Sequence, residues 1–144
     1  MAVKKKAATG KKYYTPEEAN AALPLVRAIV RDITQLAAEL RERHERLSCV
    51  RPSERVTLGD VYQEEVQHLQ AELERDQARM QEYEQELHRL GVELKDYYTG
   101  LVDFPCLMDG REVYLCWRLG EPDVGHWHEL DAGFAGRQRL RPGR

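Results

Sequence analysis

Two histidines in the C-terminal third of the chain have the spacing of metal ligands. His126 and His128 flank Trp127, and residues two apart in a β-strand project from the same face. Two imidazoles on one face suit a divalent metal, and Asp131, just beyond them, could supply an oxygen ligand. A metal site usually needs three or four protein ligands, and the spacing of a third is not convincing. The sequence therefore leaves two interpretations: metal ligands at His126, His128 and Asp131, or two polar histidines beside a core tryptophan.

The same segment could instead recognise a partner protein. Trp and Arg are enriched at energetically important interface positions, and both occur in the set Trp127, His128, Asp131 and Arg137. Arg137 has a competing use, since guanidinium groups commonly pair with carboxylates, in which this segment is rich. We therefore expect these four residues to form a partner-binding surface, with arginine–carboxylate pairing as the alternative for Arg137.

The chain contains three cysteines, too few and too scattered for a disulfide framework. Cys106 and Cys116 lie on either side of the tight-turn signal Asp109-Gly110. Pairing the flanking segments about that turn places Cys106 opposite Val113 and Cys116 opposite Asp103, on opposite faces of the hairpin. We therefore expect two separate buried thiols rather than a disulfide or a shared metal.

The distribution of charge bears on possible partners. The 144 residues carry a net charge of −3. Basic residues concentrate at the two ends, as Lys4, Lys5, Lys6, Lys11 and Lys12, and as Arg137, Arg139, Arg141 and Arg144. Such ends could contact nucleic acid, but neither interleaves aromatic residues with its charges, so the pattern favours solvated tails.

The hydropathy of the chain predicts no membrane segment. No stretch approaches the roughly 20 apolar residues that span a bilayer, and no apolar segment follows the N-terminal lysines. The few scattered cysteines fit a reducing compartment. We therefore expect a cytoplasmic protein.

A helix start is predicted at Thr15-Pro16-Glu17-Glu18, where threonine and glutamate form a capping box and proline suits the first helical position. Apolar residues then recur with alternating spacings of three and four, with Arg43 filling the one gap: Ala19, Ala22, Val26, Ile29, Ile33, Leu36, Leu40 and Leu47. This is a heptad seam. Pro24 predicts a kink near Asn20, or a short helix followed by a long one.

A second helix repeats the pattern. Arg51-Pro52-Ser53 is predicted to end the first helix, and a polar loop to about Gly59 leads to a capping box of Asp60 with Gln63. The second seam comprises Tyr62, Val66, Leu69, Leu73, Met80, Tyr83, Leu87 and Leu90, interrupted by Asp76. Two seams joined by a short loop predict an antiparallel hairpin over residues 13–91, with Asp76 facing Ile33. The narrow seam leaves room for a second hairpin, which would give a homodimer.

The pattern of apolar and polar residues changes after Gly91, a residue type that suits a helix C-terminal cap. Short alternating segments separated by glycine turns predict a three- or four-stranded antiparallel meander over residues 92–137, packed on the open end of the hairpin. Residues 1–12 are predicted to be a disordered basic tail, and residues 138–144 a frayed one. The predicted fold is α+β: a long antiparallel helical hairpin (coiled coil) followed by a small antiparallel β-meander module.

Several sequence strings in this C-terminal module match the pattern of a known family. They are Gly100-Leu101-Val102-Asp103-Phe104-Pro105, Gly110 to Glu121, and Trp127 to Arg137, together with Thr15 to Asn20 and Leu23-Pro24 in the first helix. With these strings the chain resembles the bacterial family labelled domain of unknown function 2203. The resemblance covers nearly everything between the two tails. It implies a soluble bacterial protein, and it implies no activity.

Three functional hypotheses follow from the sequence. The leading one is a non-enzymatic protein-interaction or scaffold module, since most of the chain is coiled coil and no complete catalytic set is visible. The second is a metal- or small-ligand-binding enzyme that uses His126, His128 and Asp131. The third is nucleic-acid contact through the basic termini. No cofactor is predicted beyond the divalent metal of the second hypothesis.

Overall fold

The computed structural model describes residues 11–48 and 52–140, and the side chains of all of these except residues 52–62. Two long helices are followed by a five-stranded antiparallel sheet in the order β1-β2-β3-β4-β5. The elements are α1 (Pro16–Ser48), α2 (Pro52–Arg89), β1 (Glu93–Asp96), β2 (Leu101–Met108), β3 (Arg111–Arg118), β4 (His126–His128), a 3-10 turn (Phe134–Gly136) and β5 (Gln138–Arg139). The α+β class is confirmed.

Helix α1 begins with the predicted capping box. The amide of Glu18 donates to Oγ1 of Thr15 over 3.1 Å, and the amide of Thr15 donates to Oε1 of Glu18 over 2.9 Å. The helix then runs continuously through Pro24 for 33 residues, so the alternative of two helices is wrong. The Asn20 side chain bonds the backbone of Val124 at the edge of the sheet, donating to its carbonyl over 3.2 Å and accepting from its amide over 2.8 Å.

Helix α2 begins earlier than its sequence predicts. It starts at Pro52 and runs for 38 residues, so Gly59 and Asp60 lie inside it and the polar loop with a capping box at Asp60 is wrong. Proline suits the first turn of a helix because its missing N–H has no partner there. Residues 49–51, which include Cys49, lie outside the described residues.

The two polar residues that interrupt the heptad seams pair with each other. Arg43 of α1 forms an ion pair with Asp76 of α2, and its Nε lies 3.3 Å from Oε2 of Glu72. The predicted register placed Asp76 opposite Ile33, so the observed contact lies further towards the C-terminal end of α1. The prediction was wrong because it took the register from the position of the expected loop. The buried carboxylate of Asp76 instead pairs with a cation within its reach, the guanidinium of Arg43.

The sheet is larger than predicted. Residues 138 and 139 form β5 beside β4, and the amide of Leu140 donates to the carbonyl of Gly125 over 2.9 Å. The prediction of a frayed segment over 138–144 is therefore wrong for residues 138–140, and residues 141–144 lie outside the described part of the chain. Strand pairing of β5 satisfies backbone groups that a frayed end would leave to water.

Pro105 lies within β2, although proline cannot donate to a sheet ladder. The pairing of β1 with β2 reaches only as far as Asp103, so the edge of β2 beyond it is open to another segment. There the amide of Tyr14 donates to the carbonyl of Pro105 over 2.7 Å, and this hydrogen bond does not involve the proline nitrogen. The N-terminal segment thus lies against the sheet.

This contact also orders the end of the predicted basic tail. Lys12 forms a β-bridge, and the ammonium group of Lys11 pairs with Glu112 of β3. The pairing raises the pKa of Lys11 and lowers the pKa of Glu112, chiefly through the hydrogen bond between the two groups. The expectation of disorder is therefore wrong for Lys11 and Lys12, and residues 1–10 lie outside the described residues.

The hydrophobic core is built around α1. One side of this helix packs on the inner face of the sheet, and α2 contributes Met80 and Leu87 to the same cluster. The side chains of the cluster that are fully enclosed include Val26, Val30, Ile33, Val102, Phe104, Val113, Leu115 and Trp117. Neither described helix is apolar enough over its length to cross a membrane.

Gly100 makes a close contact between the sheet and α1. Its φ is +73°, and a Cβ placed there would lie 2.8 Å from both Leu119 and Val30. We expect Gly100→Ala to destabilise the protein by about 2–4 kcal/mol, because left-handed strain and overpacking of the core add. Gly110→Ala is the matched control, since Gly110 has φ +77° but no neighbour within 4 Å. Urea denaturation measures the difference, and equal losses would contradict the close approach.

The Arg43–Asp76 pair gives a second prediction. Asp76→Ala leaves a half-buried guanidinium with Glu72 as its remaining acidic contact, and we expect a loss of about 1–2 kcal/mol of unfolding free energy. The double variant with Arg43→Ala should lose less than the two single losses together, by at least about 0.5 kcal/mol. Strict additivity in urea denaturation would show that the two residues do not interact.

Candidate functional site

The two faces of the sheet differ in chemistry. Residues on β2 and β3 alternate between an apolar inner face, which covers α1, and a second face that carries polar groups. The register pairs Cys106 with Val113 and Cys116 with Asp103, as the sequence predicts. Both thiols are free and buried. The polar residues of the second face, here called the outer face, are Glu93, Asp103, Glu112, Tyr114, Cys116, His126 and His128.

A buried histidine–carboxylate pair lies on the outer face. Nε2 of His128 is 3.0 Å from Oδ2 of Asp103, and Nδ1 of His128 is 2.7 Å from the carbonyl oxygen of Glu129. Asp103 is 3% exposed and His128 is 2% exposed, so water does not screen the pair. The ring of Tyr114 lies against that of His128, with 5.5 Å between centroids.

Cys116 completes a cluster with this pair. One oxygen, sulfur or nitrogen atom from each of Asp103, Cys116 and His128 lies within 4.8 Å of the other two. We call these three residues the buried triad. Burial raises the pKa of the Cys116 thiol to about 12, and the carboxylate of Asp103 contributes to the rise. Without a bound cation the thiol is therefore protonated at neutral pH and is not an activated nucleophile, whereas a coordinating metal ion would displace its proton.

The carboxyl group of Asp103 is incompletely satisfied. Burial raises its pKa, and His128 opposes that rise. Its second oxygen, Oδ1, is buried and has no hydrogen-bond partner among the described residues. A buried acceptor without a partner costs about 1–3 kcal/mol, so this oxygen marks a place where a further group would be stabilising.

A second polar group lies beside the triad. Nη2 of Arg137 is 2.8 and 2.7 Å from the two oxygens of Glu121 and 2.9 Å from Nδ1 of His126. Glu121 also accepts the backbone amide of Arg118 over 2.8 Å. The arginine–carboxylate alternative is therefore the observed state of Arg137, whose buried Nε has no partner among the described residues.

The structure separates the residues that the sequence grouped as metal ligands. His126 and His128 share the outer face, but His126 contacts Arg137 whereas His128 contacts Asp103. Asp131 is exposed in the turn that follows β4 and is not part of the buried triad. A metal site at His126, His128 and Asp131 stays a prediction.

The residues expected to bind a partner are also dispersed. His128 is buried, and Arg137 is largely covered by its contacts with Glu121 and His126. Trp127 points away from these groups and lines a groove of about 500 Å³ beside the start of α1. A partner surface made of Trp127, His128, Asp131 and Arg137 stays a prediction; Asp131 is exposed and Trp127 is half-buried.

Two residues of the triad, Asp103 and Cys116, were not named as site residues from the sequence. The turn at Asp109-Gly110 places these two opposite each other, so part of the signal was present. The missing part is the register of β4, which brings His128 opposite Tyr114. The connection from β3 to β4 covers residues 119–125, which is longer than a tight hairpin turn, so the register could not be read from local sequence.

Comparison with known protein families supports the resemblance that these sequence strings indicate. A family model described as an uncharacterized conserved protein (DUF2203) matches residues 12–140. No curated protein and no solved structure matches the chain.

Removing the Glu121 carboxylate should leave the buried guanidinium of Arg137 without its ion-pair partner. The side chain of Arg137 is only 11% exposed, so we expect Glu121→Ala to lower the unfolding free energy by about 1.5–3 kcal/mol. Glu129→Ala removes the exposed partner of Arg111 and should cost less than about 1 kcal/mol. The two variants are compared by urea denaturation, and a loss at Glu129 as large as that at Glu121 would refute the assignment.

Proposed function

The chain belongs to the family described as uncharacterized conserved protein (DUF2203), and we propose that it is a non-enzymatic interaction module whose helical hairpin binds the hairpin of a second copy. The observation that carries this proposal is the uneven burial of the heptad seams. Ile33 and Leu36 in α1 are buried, whereas Leu40 and Leu47, further along the same seam, are only half-buried.

Helix α2 has the same gradient. Leu73, Met80 and Leu87 are buried, whereas Val66 and Leu69, nearer the start of the helix, are half-buried. Arg41 of α1 stacks on the ring of Tyr98, in the turn between β1 and β2, with 3.7 Å to its centroid. The part of the hairpin beyond this contact, here called the distal hairpin, has no third layer over its seam among the described residues.

A second hairpin is the occupant that suits this surface. Antiparallel helix pairs associate into four-helix bundles when their apolar seams face one another. The distal seam is narrow, and exposed polar side chains flank it, as in helices that associate through coiled-coil seams; the pair of Arg43 with Asp76 is its one polar interruption among the described residues. Each buried leucine would contribute about 1.5–3 kcal/mol to association.

The chemistry of the described residues supports a binding role rather than catalysis. The Cys116 thiol has a pKa of about 12, and both nitrogens of His128 are engaged. A cysteine nucleophile needs a lowered thiol pKa, and a histidine general base needs an accessible imidazole.

The cellular setting belongs to the same proposal. Cys106 and Cys116 are free and buried, which suits a reducing compartment such as the bacterial cytoplasm. The basic N-terminal segment has an intramolecular role in part, because Lys11 pairs with Glu112 and Lys12 lies over the ring of Tyr14. These contacts occupy Lys11 and Lys12, two of the cations that would contact nucleic acid under the third hypothesis.

Sedimentation equilibrium of the full chain tests the proposal. We expect a dimer for the wild type and, for Leu69→Glu, a dissociation constant raised at least about 100-fold, because a symmetric dimer loses two buried leucines. Gln70→Glu, at an exposed neighbouring position, is the matched control and should remain dimeric. Circular dichroism checks that helical content is retained. A monomeric wild type, or equal dimerisation of both variants, would refute the proposal.

A further inference from the structure

One contact of the buried triad needs either a proton or a metal cation. The carbonyl oxygen of Glu129 can only accept, so Nδ1 of His128 carries the hydrogen in that 2.7 Å contact. In a neutral imidazole Nε2 is then a bare acceptor, yet it lies 3.0 Å from a carboxylate oxygen of Asp103. Two acceptors at this distance repel unless a proton or a metal cation lies between them.

The geometry points to a binding site for one divalent transition-metal ion of the zinc class, with Asp103, Cys116 and His128 as its three protein ligands. This inference goes beyond the proposed dimerisation, does not depend on it, and places the metal elsewhere than the set His126, His128 and Asp131.

The spacing of the ligand atoms suits such an ion. Zinc binds nitrogen, oxygen and sulfur at about 2.0–2.3 Å, so its tetrahedral ligands lie about 3.3–3.8 Å apart. The triad already holds Nε2 and Oδ2 at 3.0 Å and places all three ligand atoms within 4.8 Å of one another. Small changes of side-chain torsion would therefore complete the coordination without moving the strands.

The unpartnered oxygen is an independent observation. Oδ1 of Asp103 is buried without a hydrogen-bond partner among the described residues, and its side chain is 4% exposed. A cation bound beside Asp103 would satisfy this oxygen, which the contacts of the carboxyl group with His128 and with the Cys116 thiol leave without a partner.

The surroundings of His128 resemble those of a metal-bound histidine. A ligating imidazole usually donates its other N–H to a carbonyl or carboxylate, which fixes the ring and its tautomer. Glu129 provides that carbonyl at 2.7 Å. The chemistry of the set, one sulfur, one nitrogen and one oxygen, favours zinc or cobalt over magnesium or calcium, which prefer oxygen ligands alone.

Neighbouring cations do not oppose the site strongly. Arg137 acts electrostatically on Cys116 and Lys95 acts on Asp103, but Glu121 pairs with Arg137 at 2.7 Å and Glu93 pairs with Lys95 at 3.0 Å. His126 accepts from Arg137 through Nδ1 and is therefore a neighbour of the site rather than a ligand. Three protein ligands leave the fourth tetrahedral position to water or to an exogenous ligand.

Cobalt is the probe, because a cobalt–thiolate bond gives a charge-transfer band in the near ultraviolet. The full-length protein is produced in cells grown with cobalt or zinc, and metal per chain is measured by mass spectrometry of the purified protein. We expect one ion per chain, and for the cobalt protein the charge-transfer band. The matched pair of variants is Cys116→Ser and Cys106→Ser, since both cysteines are buried but only Cys116 belongs to the triad.

We expect Cys106→Ser to keep the metal and the band. Cys116→Ser should lose the band and bind metal more weakly by at least the ~10–100-fold that changes beside a metal typically cost. Asp103→Asn is a second variant of the same size and should weaken binding similarly. Circular dichroism and cooperative urea unfolding confirm that each variant is folded. A wild type without stoichiometric metal, or equal binding by both cysteine variants, would overturn the site and leave a proton between His128 and Asp103.

Discussion

The packing of α1 against the inner face of the sheet is the contact on which the rest of the structure depends. Val26, Val30 and Ile33 are fully enclosed, and so are Phe104 and Trp117 on the opposing strands. Each such side chain contributes about 1.5–3 kcal/mol to stability. The inner face of the five-stranded sheet carries large apolar side chains that need cover, and α1 provides it.

This contact also decides where the chemistry of the protein lies. Once Val102 and Phe104 face α1, the pleat of β2 turns Asp103 to the outer face, and the register of β3 places Cys116 beside it. The Asp103 carboxyl is then buried in a layer only one side chain thick, and its pKa rises because burial disfavours the charged form. The triad is therefore a consequence of sheet geometry, and the proposed cation would lie beside its buried carboxyl group.

Polar pairs add specificity where the apolar contact ends. Arg43 and Asp76 meet in the hairpin beyond the sheet, and Asn20 bonds the backbone of Val124 where α1 passes the last strands. Such pairs contribute less stability than buried leucines, but they penalise other registers because each alternative leaves a buried group unpaired. Within the part of the chain that the structure describes, no element covers the open side of the distal seam, and the proposed second hairpin would pack there.

The sequence by itself determined those features whose cause is local. The capping box at Thr15 and Glu18 follows from residues three apart, the heptads specify two helices, and the turn at Asp109-Gly110 sets the pairing of Asp103 with Cys116 through its geometry alone. Tertiary structure decided the rest: the start of α2, the pairing of Arg43 with Asp76, strand β5, and the approach of His128 to Asp103. These contacts join segments that no tight turn connects, so their register is chosen by competition for burial and for hydrogen-bond partners across the whole fold.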